Sequence, residues 1–148
     1  MTTIAWDGDT LAADRCSWSG GARRTVRKAF KITMKDGETY LCAFFGSGEF
    51  AHAVMEWMTG TLSTPPDCSS FGVDPETACA VVIDKKKRIW LLGARLRYMR
   101  MREKKFAVGA GHEFAWGALE AGASAKQAVM IAAKRSDYAG LGVDCVSF

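Results

Sequence analysis

The stretch Phe106-Ala107-Val108-Gly109-Ala110-Gly111-His112-Glu113-Phe114-Ala115-Trp116-Gly117-Ala118-Leu119-Glu120-Ala121-Gly122-Ala123-Ser124 passes from a short apolar run through a glycine turn into an alanine-rich segment. Phe106–Val108 reads as a strand, and Glu113–Ala121 as a helix closed by Gly122. Ser124 is placed to cap a second helix over Ala125–Arg135, whose Ala128, Val129, Ile131 and Ala132 form an apolar stripe and whose last turn is basic. A Gly-x-Gly ahead of a helix also suits a phosphate loop. The later glycine and the lysine-serine pair of such loops are missing here, so that reading is set aside. Downstream, a turn through Asp137–Gly142 leads into Val143–Phe148, a final strand.

Upstream the pattern is different. Ala80–Ile83 and Ile89–Leu92 flank the charged turn Asp84-Lys85-Lys86-Lys87-Arg88, which reads as a hairpin. In Ala94–Arg102 the polar face switches midway, predicting a bend, bulge or turn near Tyr98-Met99. The first third is strand-like: Thr3–Trp6, Thr10–Arg15, a Gly20-Gly21 break, Thr25–Met34, a turn containing Asp36-Gly37, and Thr39–Phe45. Short turns between successive strands imply antiparallel pairing. Glu49–Thr59 is the one helical period in this half, with Phe50, Trp57 and Met58 expected in the core or at a subunit contact. Leu62–Pro75 carries turn residues without a period and reads as a loop. Strands, one helix, strands, two helices and a strand make an α+β protein, with two stacked, mostly antiparallel sheets between helical layers.

Composition narrows the function classes. At 148 residues, with no linker-like stretch, the chain suits one domain over residues 1–148. Hydrophobic residues at 49% and charged ones at 24% disfavour disorder. No apolar run reaches the roughly 18 residues of a membrane span, and no signal-peptide pattern opens the chain, which reads as cytoplasmic. Five scattered cysteines and two histidines offer no zinc spacing and an odd count for disulfides, so reduced thiols and no metal or other cofactor are expected. The net charge of +4 gathers between Lys85 and Lys105, which raises nucleic-acid binding as an alternative. Solvated hairpin tips account for that cluster more simply. His112, at a helix start with no partner in view, reads as structural.

The remaining signal lies at the start. If Met1 is removed, Thr2 presents a hydroxyl and a free α-amine in one residue, and an amine with a reference pKa of about 8 can serve as the base that activates the hydroxyl.

Taken in order, Thr2-Thr3-Ile4, the strand end Ala13-Asp14, Lys28 within Val26–Ile32, the glycine turn at Gly46, the run Gly109–Ser124, Ala128-Val129, Ile131-Ala132 and the Asp137 turn resemble a proteasome β-type subunit. The similarity spans nearly the whole chain and is nearest to compact bacterial and phage homologues of HslV-like peptidases. It implies the N-terminal nucleophile hydrolase fold, a four-layer αββα sandwich, and a threonine peptidase. Thr2 matches the nucleophile, Asp14 its acidic partner, Lys28 the lysine beside it, and Asp137 an aspartate supporting the amine. The oxyanion donor, a main-chain N–H at the end of the fourth strand, falls at Ala43, with Gly46 the turn glycine that follows. Two serines that orient the amine in such proteins are replaced by Ala110 and Gly140. The resemblance further implies a homo-oligomeric ring or double ring, a peptide or unfolded-protein substrate and an ATPase unfoldase as partner. A catalytically silent ring-forming scaffold is the alternative.

Overall fold

A computed structural model describes residues 2–136 and 139–148. One sheet has the order β10-β1-β2-β11, formed by Phe106–Gly109, Thr3–Trp6, Leu11–Asp14 and Val143–Val146, all antiparallel. The other has the order β5-β6-β7-β8-β9, formed by Ala29–Thr33, Thr39–Phe44, Ala78–Ile83, Ile89–Gly93 and Tyr98–Met101, also antiparallel. Their facing sides bury Ile4, Trp6, Leu11, Ala13, Leu41, Val81 and Ile83 against one another. Period-2 alternation decides which side chains go there: in β7, Val81 and Ile83 enter the inter-sheet layer while Ala80 and Val82 face the other way.

The outer faces are covered by helices. On the five-stranded sheet lies α1, Gly48–Thr59, which buries Phe50, Val54 and Met58 against Cys42, Phe44 and Val82. Ser47 caps it, its Oγ accepting from the Phe50 N–H at 3.3 Å, and Gly60 ends it in the left-handed region at φ +88°. On the four-stranded sheet lie α2, His112–Glu120, and α3, Ala125–Arg135, packed through Ala115, Leu119, Ala128, Val129 and Ala132. Ser124 and Gln127 close a reciprocal capping box at the start of α3. The layers run α, β, β, α, as the residue pattern implied.

Three local readings change. The run from Thr25 to Met34 is not one strand: β5 begins at Ala29, and 26–28 form an irregular link. What precedes it is a separate hairpin, β3 (Cys16–Ser19) with β4 (Ala22–Thr25), turned by Gly20-Gly21 at φ +58° and +77°. Two consecutive positive φ angles suit a two-residue hairpin turn, and glycine adopts them without a Cβ clash. The face switch in Ala94–Arg102 is a turn completed before β9 begins at Tyr98, with Leu96 at φ +62°. Inside the expected loop after Gly60, Asp67 caps a single 3-10 turn over Cys68–Phe71. Among the described residues no helix is long and apolar enough to cross a membrane.

Candidate active site

The site is built around the end of β2. Asp14 is 0% exposed, and both of its carboxylate oxygens are filled. Oδ1 accepts from the Lys28 ammonium at 3.0 Å and from the Thr3 N–H at 2.8 Å. Oδ2 accepts from the Cys16 N–H at 3.0 Å and the Gly140 N–H at 3.2 Å. Four separate segments of the chain therefore converge on one carboxylate. Its charge is compensated in place, which is the condition for burying it at all.

The break between β4 and β5 explains how Lys28 arrives there. Val26 N–H is held by the Arg15 carbonyl at 2.8 Å, and the Lys28 carbonyl accepts from Phe44 N–H at 3.0 Å, so the link is pinned at both ends. Lys28 itself is 7% exposed. Burial pushes its ammonium below the ordinary lysine value of 10.5; the charge of Asp14, its hydrogen bond and Cys16 pull the other way without cancelling the shift. The result is a cation that holds its proton less firmly than a surface lysine.

Thr2 is 6% exposed and lies directly before the segment that shares Asp14 Oδ1 with Lys28. Its carbonyl accepts from the Ala110 N–H at 2.7 Å. The glycines around Ala110 are needed for that approach. Gly109 sits at φ +100°, where a Cβ would collide with the Thr2 carbonyl, and a Cβ on Gly111 would collide with the buried Thr3 hydroxyl. Gly109-Ala110-Gly111 is thus a backbone cradle for the first two described residues, a role that needs no side chain at Ala110. At Gly140 a side chain would approach Arg23 Nη2 at 2.9 Å; the glycine leaves its N–H on Asp14 and its carbonyl on Arg15 N–H.

Thr2 and Lys28 both border a cleft of about 220 Å³ whose walls include Cys16, Phe30, Phe44, Gly46 and Met55. Gly46, at φ +86°, forms the turn into α1, and its N–H takes no protein acceptor among the described residues. Ala43 does not reach the cleft. It is fully buried inside β6, paired with Ala29 on one side and Val81 on the other. Phe44 N–H goes to Lys28 and Phe45 N–H to Cys79, so strand alternation directs the Ala43 N–H into the ladder toward β7. The expectation that Ala43 supplies an oxyanion donor is corrected on that ground, and Gly46 is the candidate that borders the site. Asp137, expected to support the amine, lies outside the described residues.

Residue reasoning missed Cys16, whose N–H fills Asp14 and whose side chain borders the cleft, and Arg27, which stands at the cleft rim. The Asp14–Cys16 spacing, a carboxylate bonding a backbone N–H two residues on, was the available signal. His112 is exposed, with Nδ1 2.8 Å from the Gly109 carbonyl, a bond that ties the start of α2 to the cradle. All five cysteines are unpaired, and among the described residues no three metal-ligating side chains cluster.

No protein-family model and no curated protein matches the chain. Solved structures do. Thiobacillus denitrificans BPH is 22% identical with a TM-score of 0.70, over 99% of this chain and 96% of that one, and has also been solved in complex with epoxomicin. HslV from Trypanosoma brucei is 18% identical with a TM-score of 0.66, over 99% and 98%. An Anbu mutant from Hyphomicrobium is 14% identical with a TM-score of 0.69, over 99% and 81%. These are proteasome-like N-terminal nucleophile hydrolases, and their fold is the fold of this chain.

Proposed function

We propose that the chain is a subunit of a self-compartmentalising threonine peptidase, with residues 1–148 forming one catalytic domain. The observation that carries this reading is the buried Lys28–Asp14 pair bonded into the Thr2-Thr3 segment at the wall of a cleft. Removal of Met1 frees the Thr2 amine. That amine takes the proton from Oγ as the hydroxyl oxygen attacks the scissile carbonyl carbon. The Gly46 N–H stabilises the resulting oxyanion, and the Lys28 ammonium lowers the cost of negative charge on Oγ. As the carbon–nitrogen bond breaks, the proton passes to the departing amine, leaving an ester on Thr2; water then hydrolyses the ester and restores the hydroxyl. Asp14 keeps Lys28 charged and in place, and Asp137 supports the amine.

In this reading the subunits close into a cytoplasmic ring or double ring that encloses the clefts, and unfolded polypeptide or peptide is supplied by an ATPase unfoldase. Nucleic acid has no part in this reading, since Lys87 pairs with Asp9 at 3.0 Å and Arg88 with Asp84 at 2.6 Å, which occupies part of the basic cluster. Ala110 and Gly140, where serines would orient the amine, favour a second reading, a silent scaffold of the same shape. Peptide cleavage by protein lacking Met1 separates the two. The peptidase reading requires turnover that Thr2→Ser keeps and Thr2→Ala abolishes; undiminished turnover in Thr2→Ala contradicts it.

A further inference from the structure

We propose that Arg27 makes the cleft select substrates whose side chain on the acyl side of the scissile bond ends in a carboxylate, glutamate above all; this rests on the Thr2 reading above. Arg27 is exposed at the cleft rim but held in place. Its Nε donates to the Ala29 carbonyl at 3.0 Å, and its guanidinium carbon lies 4.9 Å over the Phe30 ring. Those two contacts hold the planar group and leave its terminal nitrogens with no ion pair among the described residues. A guanidinium already oriented, with free N–H groups, matches a carboxylate in two-point fashion.

Among the described residues that line the cleft, none is an anion that could satisfy it. No aspartate or glutamate is among its lining residues. Asp14, beneath Lys28, is filled by the ammonium and three backbone N–H groups, and Glu56, one turn beyond His52 on α1, is held by His52 at 3.2 Å. Below the rim the walls turn apolar: Phe30 and Phe44 meet edge to face with centroids 6.1 Å apart, and Met55 lies alongside. A glutamate side chain suits both levels, with methylenes on the aromatic floor and the carboxylate at Arg27. Aspartate has one methylene fewer to reach the rim, and lysine or arginine brings a like charge up to Arg27.

The test uses the chain lacking Met1 and three fluorogenic peptides that differ only in the residue before the reporter amide: glutamate, leucine or lysine. The glutamyl peptide is expected to exceed the lysyl one in kcat/KM on the order of tenfold, a gap that narrows with added salt because Arg27 is exposed. Arg27→Gln should bring the ratio toward one, and Arg27→Glu should invert it. A lysyl preference in the parent chain, or a ratio that neither substitution moves, overturns the inference. Labelling of Thr2 by a peptide epoxyketone with a neutral side chain is followed in the same preparations. Labelled Thr2 with an unmoved ratio removes the selectivity alone, whereas no labelling and no cleavage removes the peptidase reading and the selectivity with it.

Discussion

Asp14 and Asp84 look alike by count and differ in kind. Each is a buried carboxylate that receives a cation and several N–H groups. Asp84 takes Lys86 N–H at 2.9 Å, Arg88 N–H at 3.0 Å, Arg88 Nε at 2.6 Å and Trp90 Nε1 at 3.1 Å. Every one of those donors lies within six residues, so a local hairpin turn is enough to assemble them, and the Arg88 side chain remains 41% exposed. Asp14 has one local donor, the Cys16 N–H two residues on, and draws the others from Thr3, Lys28 and Gly140, which only the complete fold brings together. Its cation is buried and borders a cleft. Burial that a turn explains is a structural device; burial that costs a lysine its solvation, at the wall of a cleft that Thr2 also lines, is the kind of environment that perturbs a functional group.

Substitutions can break this contrast, and the largest effect is expected at Thr2. Thr2→Ala should lower peptide cleavage at least about 10³-fold while leaving thermal stability close to the parent, because the change removes a nucleophile and little packing. Asp14→Asn comes next. It leaves a buried ammonium without its counter-charge, at a stability cost of about 3–5 kcal/mol by denaturant titration, and activity should fall with it.

The same change sharpens the pH behaviour. Lys28 already titrates below 10.5, so its folded form binds fewer protons than the unfolded chain between the lowered pKa and 10.5, and its burial penalty on stability is relieved as pH rises through that window. In the parent the alkaline limb of kcat/KM should therefore lie below 10.5, and in Asp14→Asn it should move lower still, since the group that supports the charge is gone. A limb that stays put would detach Lys28 from the chemistry.

Gly109→Ala tests the cradle. Strain at φ +100° together with the collision at the Thr2 carbonyl should cost more than about 2 kcal/mol and slow cleavage by displacing Thr2. Asp84→Asn is the smallest change and the control for the comparison, with a loss of about 1–2 kcal/mol and little change in kcat/KM. Burial pushes Asp84 up, but the bonds from Trp90 and Arg88 win and hold it below the usual 3.8. Its contribution is thus present above that value and is lost as pH falls through the lowered one, a dependence that Asp84→Asn should erase from acid-denaturation curves.

How much of this was legible from residues alone follows the same division. Local devices could be read directly: the Ser124 cap, the Asp84–Arg88 turn and the stripe of α3, save for Ile131, which is exposed, each depend on neighbours in sequence. The layer order followed from them. The hairpin from Cys16 to Thr25 was hidden because Gly20-Gly21 signals a break without saying that the strands beside it pair with each other. Lys28 sits in no regular element, and nothing in Val26-Arg27-Lys28 tells of the Asp14 carboxylate fourteen residues away; the family resemblance supplied that link. Ala43 was misplaced because a main-chain donor leaves no mark on residue type, and only the ladder reveals which N–H groups are already used. Arg27 was passed over for the opposite reason, since an exposed arginine in a basic chain is unremarkable until its partners are counted.

The most direct measurement is the intact mass of the purified chain before and after exposure to a peptide epoxyketone, an electrophile that needs both the hydroxyl and the free amine of an N-terminal threonine. The account predicts a chain lighter by one methionine that gains a single adduct, mapped to Thr2 and missing in Thr2→Ala. A Met1-free chain that stays unmodified would contradict it.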